Sequence, residues 1–296
     1  MTMTRRTLPA LTAMVAVALV LAACGGDDAA APASESTLPA VDTTAASSGD
    51  YDHPTGADDV VIEYAEVGGF TTREFAFQQS PRLLVSGDGR AFSPGAQIEI
   101  YPGPLLPAVQ VQPITEAGIQ SILAAADAAG LAADVEYEAP TNIADASTAQ
   151  LILNVNDETW VHEAYALGFS APGGAGESTP ERQALLDFVT QLNDLPALVG
   201  ADQLGEVTLF EPESYQIEAI VIDDLSVYGT DGIEPTVVEW PVDVSVRLAD
   251  ASTRVDVPAA EVADTLGAAN QLTFFTDAGV TYQVLARPRL PGWPSE

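Results

Sequence analysis

The chain has 296 residues and carries 43 acidic residues against ten basic ones, a formal net charge of −33. All ten basic residues are arginine and Cys24 is the single cysteine, which excludes lysine Schiff bases, a P-loop lysine, internal disulfides and four-cysteine zinc sites. The acid excess argues against nucleic acid as a partner and favours a basic protein or peptide, or simply a well-solvated surface.

In chain order, Arg5 and Arg6 precede an uncharged, mostly apolar run over 8–23, which closes on Leu21-Ala22-Ala23-Cys24-Gly25. A membrane-spanning helix wants about 20 apolar residues, and this run is shorter. Positive head, short apolar core and small residues are the order of a secretion signal. The Leu-Ala-Ala-Cys ending resembles a bacterial lipoprotein signal. That resemblance implies residues 1–23 as the signal peptide, cleavage between Ala23 and Cys24, and a diacylglycerol thioether on Cys24. The expected location is the outer face of the cell membrane, reached through lipid on Cys24. Thr4-Arg5-Arg6-Thr7-Leu8 also resembles a twin-arginine export signal. Loss of the signal leaves eight basic residues and a formal charge of −35.

Residues 24–57 are Ala, Ser, Thr, Pro, Gly and Asp with few large apolar side chains, so they read as a disordered tether. Its r.m.s. reach is roughly 30 Å, from about 5–6 Å times the square root of its length. Folded sequence is expected from 58. Extended segments are predicted at 60–64, 73–78, 82–86, 97–101 and 109–112, with a turn at Gly87-Asp88-Gly89. Thr115 is placed to cap a helix reaching Ala129, with Ile119, Ile122, Leu123 and Ala126 on one face and Gly130 beyond its end. A hairpin over 149–155 and 159–167 turns at Asn156-Asp157. A Gly-rich loop at 172–176 leads to Ser178, which with Glu181 has capping-box spacing. The helix that follows shows Leu185, Phe188, Val189 and Leu192 on one face.

Beyond Gly200 a strand is predicted at 215–222. Val242, Val244, Val246 and Leu248 alternate with polar residues as in a half-buried strand. Pro258 starts a helix to about Ala269, and a closing hairpin turns over Asp277-Ala278-Gly279. The fold class is α+β, with mostly antiparallel sheets, helices on one face, and two small domains at 58–200 and 201–296. Residues 109–123 and 254–266 echo each other as strand, Pro, helix, each followed by a hairpin.

Chemical motifs are scarce. His162-Glu163 lacks the second His of a zinc-protease helix, and His53 falls in the tether, where no geometry would hold it. The nearest approach to a nucleophile elbow, Gly168-Phe169-Ser170-Ala171-Pro172, lacks the final Gly. Asp223-Asp224 is not a calcium loop. No catalytic residue, metal site or cofactor is assigned. The candidate binding loop is Tyr101-Pro102-Gly103-Pro104-Leu105-Leu106-Pro107, whose prolines stiffen it. It would present Tyr101, Leu105 and Leu106 to a partner, or pack them into the core as a rigid crossover. The tail from Arg287 to Trp293 is a second candidate, with the alternative that Trp293 acts as a plug.

Together the lipobox, Gly68-Gly69-Phe70, Gly87-Asp88-Gly89-Arg90, Ile100-Tyr101-Pro102-Gly103-Pro104 and Ala286-Arg287-Pro288-Arg289-Leu290-Pro291 resemble an uncharacterised family of secreted actinobacterial lipoproteins. That resemblance implies location and no activity. The strand ending in Gly68-Gly69-Phe70 is similar to the start of emfourin-type metalloprotease inhibitors. The expected function is a membrane-anchored, non-catalytic binding or scaffolding module of the cell envelope. The alternatives are a protease inhibitor, with contacts at Gly68-Gly69-Phe70 or the 101–107 loop, and a hydrolase using paired carboxylates.

Overall fold

Strand β1 (Val60–Gly68) is an interior strand of the larger of two sheets in the computed structural model, which describes residues 50–169, 179–229 and 232–293. It is followed by helix α1 (Arg73–Gln78) and strands β2 (Leu83–Ser86), β3 (Arg90–Pro94) and β4 (Val109–Pro113). Helix α2 (Glu116–Ala128), strands β5 (Ser147–Val155) and β6 (Glu158–Tyr165), helices α3 (Pro180–Leu192) and α4 (Leu195–Val199) and strand β7 (Thr208–Leu209) come next. The seven strands form one antiparallel sheet in the order β6-β5-β1-β2-β3-β4-β7. Strands β8 (Ser214–Val221), β9 (Thr236–Glu239) and β10 (Val255–Pro258), helix α5 (Ala259–Gly267), and strands β11 (Thr273–Asp277) and β12 (Val280–Pro288) follow. They build a second sheet, ordered β10-β8-β12-β11-β9, in which only β9–β11 is parallel. The fold is α+β and mostly antiparallel.

In the seven-stranded sheet, register lines up apolar rows. Val85, Ile62 and Leu153 are one row across β2, β1 and β5, and Leu83, Tyr64 and Leu151 are the next. Onto this face α2 lays Ile119, Ile122, Leu123 and Ala126, and α3 lays Leu185, Phe188, Val189 and Leu192. Thr115 caps α2 as expected, its hydroxyl accepting from Gly118 N at 3.2 Å, and Gly130 takes φ 74° beyond the end. The β5–β6 hairpin turns through Asn156 and Asp157 at φ 55° and 61°, as its turn residues predict.

The opposite face is covered by the chain's end. β12 leaves the five-stranded sheet at Pro288, and Leu290 packs with Leu84, Phe92 and Val109. Gly292 is required here: its φ is 72°, and a Cβ would stand 2.3 Å from Val60 Cγ2. In the reverse direction, Leu105 joins the core of the five-stranded sheet with Ile217, Phe275 and Leu266. Packing therefore crosses 200/201 both ways, and the described residues belong to one compact unit.

Several segments differ from the sequence reading. Residues 73–78 are the helix α1, not extended, because Thr72 Oγ1 accepts from Phe75 N at 3.3 Å and Glu74 sits in the first turn. The cap of α3 is Thr179, whose hydroxyl accepts from Arg182 N; Ser178 and the 172–176 loop lie outside the described residues, as do Ala23 and Cys24. The alternating stretch 242–248 is irregular, ending in a 3-10 turn at Leu248–Asp250. Val244 and Leu248 are buried without a ladder, while Val242 is 81% exposed, so the alternation is met only in part. Residues 97–101 are likewise irregular. Strands β3, β7 and β9 were not anticipated. The echoed units differ in topology: three strands separate β4 from its hairpin, and β5 lies nearest, whereas only β8 separates β10 from its hairpin, and β12 lies nearest.

Residues 50–57 are held against the fold rather than free. Tyr51 N donates to Gln120 Oε1 at 2.8 Å, and Asn156 N donates to Asp52 O at 2.7 Å.

Candidate binding site

The loop at 101–107 divides into a buried half and an outward half. Gly103 N donates to Gln271 Oε1 at 3.1 Å, and Gln271 N donates back to Gly103 O at 2.9 Å. Leu105 N donates to Ala269 O, while Leu105 O accepts from Gln78 Nε2 at 2.6 Å. Leu105 is 4% exposed, and Leu106 packs beside the same core. The rigid-crossover alternative therefore describes Leu105 and Leu106. Tyr101, next to a cis bond to Pro102, stays exposed with Ile98 and Ile100, and Pro104 is also exposed. Of the residues singled out in this loop, Tyr101 is the one large apolar side chain left available.

The tail builds a more concentrated site. Arg287, near the end of β12, is only 9% exposed. Its Nε and Nη2 donate to Gln216 Oε1 at 3.1 and 2.8 Å, and its Nη1 donates to Phe77 O of α1 at 3.1 Å. The guanidinium lies 3.8 Å from the centre of the Trp293 ring and 5.1 Å from that of Phe77. Burial, with the like charge of Arg254 adding, pushes Arg287 down to about 10, against the pull of Glu63 and Asp256. Arg254 is exposed and reaches over the same Phe77 ring at 5.4 Å. Arg289 Nε sits 3.2 Å from Asp256 Oδ2, an ion pair by distance but off the line of a hydrogen bond.

These groups border a pocket of about 310 Å³. Its floor is the outer face of β1 and β5, including Glu63 and Gln150; its walls are the end of α1, with Gln79, together with Arg254, Arg287 and Trp293. Burial raises the Glu63 carboxyl, partly offset by the neighbouring Trp293 indole and by the charge of Arg287. Glu66 at the rim accepts from Tyr64 Oη at 2.7 Å and from Ser147 Oγ at 2.6 Å. Two guanidiniums, two carboxyls, two amides and an indole thus converge from five parts of the chain. Pockets of this size and mixed lining bind small ligands.

The histidines are fastened to the framework. His162 is buried, with Nε2 2.8 Å from Leu131 O and Nδ1 2.9 Å from Tyr137 Oη. A carbonyl can only accept, so Nε2 carries the proton and Nδ1 takes the tyrosine hydrogen: a neutral ring. Burial lowers its pKa accordingly. His53, expected to be unheld, has Nδ1 2.8 Å from Pro54 O and Nε2 3.0 Å from Glu116 Oε1. Acidic side chains gather elsewhere, where Glu136, Glu138, Glu163 and Glu181 line an open groove beside edge strand β6. Among the described residues, no three or more His, Cys, Asp or Glu are placed to hold one metal ion.

The sequence pointed to Arg287 and Trp293 through the tail but missed Arg254, Glu63, Gln150 and Phe77. One signal was available: four of the ten arginines fall after residue 246, one of them in the apolar strand Val284-Leu285-Ala286-Arg287. Compared with known proteins, the chain matches no family model, no curated protein and no solved structure.

Proposed function

We propose that this chain is a lipid-anchored, extracytoplasmic protein of the cell envelope whose folded body is a non-catalytic binding module. The ligand enters the pocket between β1, α1 and the Arg287–Trp293 tail. The observation that carries the binding role is the convergence there of Arg254, Arg287, Glu63, Gln150 and Trp293 on one cavity. The anchoring role rests on the run from Arg5 to Cys24. Two acyl chains on Cys24 anchor stably, since each buried CH₂ contributes about 0.8 kcal/mol. Expression of the full chain in a bacterial host, followed by membrane fractionation and intact mass measurement, tests it. The wild type is expected in the membrane with a diacylglyceryl adduct on an N-terminal Cys24, and Cys24→Ser in the soluble fraction. Identical fractionation of the two would overturn the anchoring.

A second reading, protease inhibition, is favoured by Phe70. It is 92% exposed on a turn pinned by its own N–H to Asp145 O at 3.2 Å. Titration of secreted metallo- and serine proteases with the full chain and with Phe70→Ala separates this reading from the first. Inhibition abolished by the substitution supports it, and no inhibition at micromolar protein removes it.

A further inference from the structure

The eight described arginines divide unevenly. Arg73, Arg90, Arg247 and Arg289 pair with Glu218, Asp88, Asp277 and Asp256. Arg182 gives its protons to the carbonyls of Glu138, Tyr165 and Ala166. Arg82, Arg254 and Arg287 have no carboxylate within 4.0 Å among the described residues, and the last two line the same pocket. In a chain with 43 acidic residues, two cations left without an ion pair at one cavity are the reverse of what composition supplies.

Arg287 is fixed in direction by Gln216, Phe77 and Trp293, yet one N–H on each Nη has no acceptor among the described residues. Among the described residues Arg254 makes no hydrogen bond and lies over the Phe77 ring, which leaves its five donors to solvent or a ligand. Of the pocket's own acids, Glu66 is engaged by the hydroxyls of Tyr64 and Ser147. The two guanidiniums and two carboxyl groups of the lining sum to zero, so a bound monoanion leaves the site one charge negative and a dianion leaves it two. Forked guanidinium donors can take a carboxylate in bidentate fashion, and its single charge adds the smaller excess. The lining also includes the apolar Ala65, Val67 and Ala76.

We propose that this pocket binds a carboxylate, held between Arg254 and Arg287, on a ligand whose apolar part lies against Ala65, Val67 and Ala76. The proposal rests on the reading of the pocket as a ligand site. A carboxylate of this kind is carried by a peptide C-terminus or by a free organic acid.

Calorimetric titration of the full chain in detergent tests it with four probes. These are the tetrapeptide Ala-Ala-Ala-Phe with a free C-terminus, the same peptide amidated, 3-phenylpropionate, and inorganic phosphate. At least one carboxylate is expected to bind about tenfold or more tighter than the amide and than phosphate, as a lost hydrogen bond to a charged group implies. A tetrapeptide acid tighter than 3-phenylpropionate assigns the peptide terminus, and equal or reversed affinities assign the free acid; both support the proposal. Arg254→Gln should weaken the carboxylate about tenfold with at most a small change in the thermal unfolding midpoint, because its side chain is exposed and its one ring contact is with Phe77 among the described residues. Equal binding of acid and amide, phosphate as tight as the acids, or an unaltered Arg254→Gln variant would overturn the carboxylate assignment and leave the pocket as a ligand site. Absence of binding by all four probes would remove both.

Discussion

The two sheets solve the same burial problem by different means. The seven-stranded sheet is covered on one face by α2 and α3, whose apolar residues recur at helical spacing and meet strand rows in register. The core of the five-stranded sheet draws on the nine-residue α5, and much of it comes from irregular chain: Leu105, Trp240, Val244 and Leu248. There, side chains replace ladder partners. Trp240 Nε1 donates to Val246 O at 3.0 Å, Ser245 N donates to Glu261 Oε2 at 2.7 Å, and buried Asp277 accepts from Arg247 and, at 2.8 Å, from Leu248 N. Buried backbone groups need partners whatever the secondary structure. An irregular cover is stable when polar side chains fix it residue by residue.

That contrast is broken most severely at Trp240, which is 2% exposed and packs edge-on against Phe275 at 5.5 Å. Trp240→Ala should cost about 3–5 kcal/mol, read by denaturant unfolding. Hydrogen exchange should show early loss of protection in β9 and β11 before α2. Leu105→Ala should cost about 2–5 kcal/mol and weaken the same sheet, although residue 105 belongs to the chain between β3 and β4. Loss of protection confined to the seven-stranded sheet would contradict the crossover packing. Asp277→Ala removes the acceptor of Leu248 N and should cost about 1–3 kcal/mol. On the other side, where periodicity does the covering, Thr115→Ala removes one cap and should cost about 1 kcal/mol.

The smallest effect is a slope against pH. Burial depresses the pKa of His162 below its unfolded value of 6.5. The native state therefore holds the ring neutral where the unfolded chain protonates. The stability that this neutral ring preserves is complete above pH 6.5 and is lost as pH falls from there toward the folded pKa. His162→Gln should flatten unfolding free energy against pH in that window. An unchanged slope would mean that the ring titrates alike in both states.

What the sequence made legible follows the same division. Helix α2, the β5–β6 hairpin and the β11–β12 hairpin carry local signals: Thr115 with an apolar stripe, Asn156-Asp157, and Ala278-Gly279. Each of these signals is answered within a few residues. Residues 73–78 and 242–248 carry misleading ones. Six residues of α1 form a helix only with the Thr72 cap and the packing of Phe77 beneath Arg287. The alternation in 242–248 is answered by a loop pinned from Glu261 and Asp277. The candidate loop was legible as rigid, but its division into buried Leu105 and exposed Tyr101 depends on Ala269 and Gln271, more than 150 positions away. The pocket was least legible, because Arg287 and Phe77 are separated by 210 positions. Charge composition showed that arginines were few; only the fold shows which of them lack a carboxylate.

The most direct measurement is the side-chain N–H spectrum of the full chain labelled in arginine, recorded during titration with the free tetrapeptide acid and with 3-phenylpropionate. Saturable shifts at Arg254 and Arg287, with Arg90 and Arg247 unmoved, are the expected result. No shift with either acid, or shifts spread evenly over all the arginines, would contradict a ligand site at the junction of the two sheets.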